Sequence, residues 1–175
     1  MSSEVCAQED DKDRTEGRSM TRVLILGYGN PLRGDDAAGW EAARALAGLE
    51  AGDQVEVHAL HQLTPEWAES LSRCSRAIFI DASVEDAPGQ VSCRRITPLG
   101  AKGGTFTHDL TPEILLGMAI TLYGACPEAL LISIGAESFE PGADLSHAVA
   151  QGLPSLIACV REQVSAWQGR PAGTP

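Results

Sequence analysis

The sequence predicts an α/β domain built as a three-layer sandwich. A mostly parallel sheet of about five strands, one of them antiparallel, carries helices on both faces. Three observations point there. Short apolar runs alternate along the chain with segments of helical periodicity. Two Thr-Pro-Glu triplets, at 64–66 and 111–113, each open a helical segment. The link Ser83–Gly89 is too short for a helical crossover, so the strand after it is expected to run antiparallel to its predecessor.

Taken in order, residues 22–27 read as the first buried strand, carried by Val23-Leu24-Ile25-Leu26. A helix is expected over about 36–48, with Trp40, Ala43 and Leu46–Ala47 at helical spacing. Gln54–Leu60 is the second strand. Thr64-Pro65-Glu66 then supplies a cap, a first-turn proline and an acid near the helix dipole. Ala77–Ile80 is a third strand, expected to stop at Asp81, and residues 90–96 form the antiparallel one. Residues 97–110 are a long loop rich in Gly and Thr. Thr111-Pro112-Glu113 starts a helix running to about Tyr123, and Ala129–Gly135 is the last buried strand. The final helix occupies about 146–168, where Pro154 should kink or divide it. Strand order cannot be read at this level.

Composition sets the outer bounds. The 175 residues suit one domain with a full core. Residues 1–21 are polar, charged in both signs and without apolar periodicity, so they read as a disordered tail. The folded domain is then 22–168, with a loose end at 169–175. No apolar run reaches the roughly 18 residues needed to span a membrane. The first residues lack an apolar signal-peptide core, so a cytoplasmic protein is expected. Five cysteines without a CxxC pair suit a reducing compartment. A net charge of −11 argues against a nucleic-acid partner.

The most informative stretch is Val23–Trp40. A strand enters a turn containing Gly27, Gly29, Asn30, Pro31 and Gly34, followed by Asp35 and Asp36 at the mouth of a helix. Gly29 and Gly34 mimic the front of a phosphate loop, but Asp35 stands where that loop needs lysine. The dinucleotide pattern fails as well, because its third glycine would fall at Leu32. Adjacent carboxylates at a helix N-terminus repel phosphate and welcome a cation or a proton. A nucleotide-binding module is therefore disfavoured.

Ligands of such sheets bind beyond the carboxyl ends of the parallel strands. Asp35 and Asp36 follow strand one, His61 follows strand two and Asp81 ends strand three. Glu137 and Glu140 follow the last strand, and His108 sits in the loop before helix three. Two carboxylates and an imidazole there suit Zn, Ni, Mn or Fe, with positions left for water or substrate. Each residue also has a plainer reading. Asp35 or Asp36 can cap the helix, Asp81 can accept loop N–H groups, and His108 can be an ordinary loop histidine. His58 lies within a strand and reads as structural, His147 as a surface residue, and Glu137 and Glu140 as solvent-facing or loop-pairing groups.

Four segments in order carry a resemblance. GYGNPLRGDDAAGW at 27–40, IFIDAS at 78–83, TFTHDLTPEILL at 105–116 and ESFEPGADLS at 137–146 resemble the motifs of the hydrogenase maturation proteases. The resemblance implies an endopeptidase that removes the C-terminal extension of a nickel–iron hydrogenase large-subunit precursor after nickel insertion. It implies Asp36, Asp81 and His108 as metal ligands and catalytic groups; by their placement at the same edge, Asp35, Asn30 and His61 are candidates to support them. The metal implied is nickel carried by the substrate, with zinc or cadmium able to take the site in vitro. The family is often classed as aspartic-type, yet the chain shows no pepsin-like pair of aspartates. A monomer acting on the precursor, without nucleic acid or membrane, is expected. The alternative is a non-catalytic nickel-sensing chaperone using the same ligands.

The chain departs from the family pattern at Ala37, where glycine is common, at Ala136, where proline is common, and at His61–Pro65, where an Asp-Gly segment is usual. The metal site is expected to survive these changes, while the groove that selects the hydrogenase partner is expected to differ from the usual one. A truncated chain beginning at Thr21 should keep both melting temperature and activity, because residues 1–21 bury too little apolar surface to repay ordering. A large loss of either would show that the tail docks on the body or the partner.

Overall fold

A computed structural model describes residues 23–48, 54–100 and 110–168. The tails expected at 1–21 and 169–175 lie outside the described residues. The order of elements is β1 (Val23–Tyr28), a 3-10 turn (Gly34–Ala37), α1 (Ala38–Leu46), β2 (Val55–Leu60), α2 (Trp67–Arg73), β3 (Arg76–Pro88), β4 (Val91–Ile96), α3 (Pro112–Tyr123), β5 (Glu128–Gly135) and α4 (His147–Gln168). They form a five-stranded sheet in the order β2-β1-β3-β5-β4. Pairing is parallel from β2 through β5, and β4 runs antiparallel along β5 at the edge.

Side chains alternate across the sheet, and each face feeds its own core. Ile25, Ile78, Ile80, Ile132 and Ile134 point to one face, where Ala42 and Leu46 of α1 and Leu156 and Val160 of α4 cover them. Leu24, Leu26, Phe79 and Ala129 point to the other, beneath Ala68 and Leu71 of α2 and Leu115, Leu116 and Ala119 of α3. This is the three-layer arrangement expected from the alternation. Among the described residues, no helix is long and apolar enough to cross a membrane.

Two local expectations are corrected and two are refined. Asp81 does not stop the third strand. β5 reaches further than β1, so Asp81, Ala82 and Ser83 keep pairing with Ser133, Ile134 and Gly135, and β3 runs on to Pro88 through an irregular excursion. β4 runs against the direction of β3 but does not lie beside it, because β5 is inserted between them. The first helix begins as a 3-10 turn at Gly34, ahead of its expected start at 36. Pro154 does not divide α4, which is continuous over His147–Gln168. Pro154 and Ala150, whose carbonyl loses its usual donor there, are both exposed, so water can take that bond. The two Thr-Pro-Glu triplets also behave differently. The Thr111 hydroxyl accepts from the Ile114 N–H at 3.4 Å, a true cap. At α2 only the Thr64 carbonyl is used, accepting from the Trp67 N–H at 3.2 Å.

Helix α1 seats unusually close to the sheet, and two glycines allow it. A Cβ on Gly39 would fall 2.3 Å from the Ile80 carbonyl oxygen and 2.4 Å from that of Tyr28. A Cβ on Gly27 would fall 2.2 Å from the Gly39 carbonyl oxygen. The start of α1 therefore rests on the ends of β1 and β3, which carries the preceding Asp36 toward the end of β3. Replacing Gly39 by alanine should push the helix outward at a cost of about 1–3 kcal/mol. The expected reading is a Tm lower by several degrees in a thermal melt; an unchanged Tm would mean α1 does not sit this close.

Candidate functional site

The chain leaves β1 on one side toward β2 and returns to place β3 on the other. The carboxyl ends of β1 and β3 thus flank a topological switch point, where parallel sheets open a crevice. The turn over that crevice is tightly specified. Gly29 holds φ at 141°, and a Cβ there would lie 1.8 Å from the Asp36 carbonyl oxygen, so only glycine lets the turn fold back this far. The Asn30 side chain accepts from the Leu32 N–H at 2.9 Å, and the Arg33 N–H donates to the Asn30 carbonyl at 3.1 Å. The Asn30 N–H donates to Asp36 Oδ2 at 3.1 Å. One carboxylate oxygen of Asp36 is thereby fixed from behind, on a side chain that remains partly exposed.

The neighbouring Asp35 has a different task. It is fully buried, at 0% exposure. Its Oδ2 accepts from the Glu137 N–H at 2.7 Å and the Ser138 N–H at 3.0 Å, and its Oδ1 from the Ser146 N–H at 2.6 Å. Burial alone would raise its proton affinity, but these backbone donors outweigh it and hold the carboxyl below its usual range. The Asp35 N–H also donates to the Ser138 carbonyl at 2.9 Å, and the Gly34 N–H to that of Ala143 at 3.1 Å. Asp35 therefore does not cap its own helix. It ties the loop 136–146 to the first turn, just where Ser146 caps α4 through the Val149 N–H at 3.3 Å.

Asp81 lies on the α2/α3 face of β3, level with Ser133. Its Oδ1 accepts from the Ala82 N–H at 2.8 Å, and the Tyr28 phenol donates to the same carboxyl. Burial first, and then the negative charge of Asp36, push Asp81 up to about 6 against the two hydrogen bonds that oppose the shift. Burial and the Asp81 charge in turn hold the Tyr28 phenol far above its ordinary range, so it stays a donor. The structure thus brings Asp36 and Asp81 close enough for their charges to interact. His108 lies outside the described residues. Among those described, no three His, Cys, Asp or Glu side chains form a group that could hold a metal. The donor set among the described residues, two carboxylates close enough to repel each other, fits a cation that takes further ligands from elsewhere.

The other candidates have separate partners. His61 is exposed and meets the Trp40 ring edge-on at 6.5 Å between centroids, while the Arg44 guanidinium sits 4.6 Å from the Trp40 ring centre. His58 pairs with Glu56 and leans on Trp67 within β2 and α2. Glu137, Glu140 and His147 are exposed. Two groups beside Asp81 escaped the sequence reading. One is Tyr28. The other is a polar row in which Ser133 and Ser92 share a hydrogen bond of 2.9 Å, with Ser92 donating to Asp86 at 2.9 Å. Their signal is the register, Tyr28 following Gly27↔Ile80 and Ser92 facing Ser133 facing Asp81, which is invisible until strand order is known.

Neither a protein-family model nor a curated protein matches the chain by sequence. Solved structures do. A hydrogenase 2 maturation peptidase from a Thaumarchaeota archaeon is 27% identical, with a TM-score of 0.60 over 82% of this chain and 98% of that one. The hydrogenase maturating endopeptidase HybD from E. coli is 25% identical, with a TM-score of 0.61 over 83% and 93%. The NiFe hydrogenase maturation protease HycI from Thermococcus kodakarensis shares the fold at 23% identity, with a TM-score of 0.65 over 84% and 94%. The fold is the one these maturation proteases share, as the four sequence motifs imply.

The opposite shifts of Asp35 and Asp81 make opposite predictions. Asp35 contributes stability that is present above its unfolded value near 4 and lost as pH falls through its lower folded value. Asp35→Asn should cost about 2–4 kcal/mol at neutral pH, since an amide cannot accept all three N–H groups. Asp81 has the raised folded value, so its favourable contribution holds at low pH and is lost as pH rises through about 6. Asp81→Asn should therefore raise Tm at pH 8, with the gain vanishing below about pH 4. A melt at pH 8 showing no gain would mean that Asp81 is not held under electrostatic strain.

Proposed function

We propose that this chain, with the fold of the nickel–iron hydrogenase maturation proteases, is an endopeptidase that trims the C-terminal extension of a hydrogenase large-subunit precursor after nickel insertion. The observation that carries the proposal is the meeting of Asp36 and Asp81 at the switch point between β1 and β3. We assign these two carboxylates, with His108 as the third donor, to the nickel that the precursor brings. A bound nickel ion supplies positive charge that can polarise the scissile carbonyl or acidify a water molecule.

The chain's own groups prepare for that encounter. The Asn30 N–H holds one oxygen of Asp36, leaving the other for the ion. The Tyr28 phenol and the Ala82 N–H orient Asp81 and offset part of the cost of keeping it ionised. Asp35 fixes the turn on which Asp36 stands. His61 joins Trp40 and Arg44 on the surface, a position suited to contact with the precursor. Nickel in the precursor then acts as the recognition signal, because docking completes a site that the enzyme supplies only in part.

Purified enzyme mixed with nickel-loaded precursor should release the C-terminal peptide. Asp36→Ala and His108→Ala should each slow release by roughly 100-fold or more while moving Tm little. Nickel-free precursor with added zinc should remain uncut. Efficient cleavage in that mixture would mean a resident catalytic metal, and nickel-dependent binding without cleavage would make the protein a chaperone.

A further inference from the structure

Four of the five cysteines are among the described residues, all with free thiols. Two are idle. Cys74 is buried and points its thiol at the Leu71 carbonyl at 3.4 Å, and Cys126 is half-buried before β5. The remaining two, Cys93 and Cys159, are neighbours in space although 66 positions apart in sequence. The alternation along β4 explains it. Val91 packs into the core beneath α1 and α4, whereas Ile96 packs into the opposite core and Arg94 reaches Glu113 of α3. Odd-numbered residues of β4 therefore face α4. Helix α4 turns Leu156 and Val160 into that core, and Cys159, one residue before Val160, lies at its margin above β4. The two side chains interact directly.

We propose that Cys93 and Cys159 are a redox modification site, a dithiol that closes to a disulfide and staples the edge strand β4 to helix α4. The exposed Cys93 is the entry point for an oxidant. With glutathione disulfide, the Cys93 thiolate attacks one sulfur of the oxidant and displaces one glutathione thiolate, leaving a mixed disulfide. The Cys159 thiolate then attacks the Cys93 sulfur and displaces the second glutathione. The protein loses two protons and two electrons, and one glutathione disulfide becomes two glutathione thiols. Partial desolvation raises both thiols above their ordinary range, with the Cys93 and Glu162 charges adding to the rise at Cys159. The exchange is therefore slow at neutral pH and faster in mild alkali. The loop closed is long, the case in which a cross-link removes most freedom from the unfolded chain.

The test uses the full chain at pH 8.5 with glutathione disulfide. The expected product has lost two hydrogens in mass and two titratable thiols, with a 93–159 cross-linked peptide in a non-reducing digest. Its Tm should rise by roughly 5–10 °C and return on reduction. Cys93 is exposed, so Cys93→Ser should fold normally and show neither the cross-link nor the rise. Cys159→Ser should instead stop at a stable glutathione adduct on Cys93. A wild-type product carrying glutathione on both residues, or a cross-link to any other cysteine, would overturn the proposal.

Discussion

The buried carboxylate of Asp35 is the constraint on which the candidate site rests. The turn after β1 and the loop after β5 are separated by 102 residues or more, and no strand pairing joins them. One side chain does so with three short bonds to backbone donors. A buried anion is costly unless its charge is met by donors, and here main-chain N–H groups at a loop and a helix start meet it, joined by the Ser146 hydroxyl. The arrangement satisfies both needs at once. It also fixes the base of the turn carrying Asp36, so that the exposed acid inherits a position from the buried one.

Asp35, Asp36 and Asp81 share one side-chain chemistry and occupy three different environments. Asp35 is surrounded by donors and held ionised. Asp81 has two donors, a buried position and a nearby negative charge, and its carboxyl is pushed up to about 6. Asp36 supplies that charge from a partly exposed position, with a single N–H behind it. The first arrangement minimises free energy in the isolated protein. The second leaves free energy that a cation between Asp36 and Asp81 can recover. A site that costs stability in the absence of its ligand is the signature expected of binding chemistry, since packing alone would place neutral groups there.

Much of this was legible in the sequence because the signals were local. The apolar run 23–26, the Gly-Asn-Pro turn and the paired acids announce a strand, a turn and a helix within 20 residues. Thr111-Pro112 announces α3 by the same kind of chemistry. What escaped depends on strand order. The continuation of β3 past Asp81 follows from the length of β5, and the role of Tyr28 follows from β1 lying beside β3. The role of Asp35 follows from the path of a loop more than 100 residues away. Adjacent aspartates look alike in a sequence, and only the tertiary structure separates a tie between loops from a group left free to bind.

The separation of roles has a consequence for how a substrate-borne metal could be read. An enzyme that must distinguish a metal-loaded partner from an empty one needs donors that are oriented yet not already satisfied. Orientation comes from hydrogen-bond donors: the Asn30 N–H and the Ala82 N–H, which cannot ligate, and the Tyr28 phenol, which donates to Asp81. Incomplete satisfaction would come from the proximity of Asp36 and Asp81, whose repulsion an arriving positive charge would relieve. A partner lacking its metal would bring nothing to relieve that repulsion, and its own carbonyl and carboxylate oxygens would add to it. Discrimination would then rest on the same electrostatics that destabilise the unliganded site.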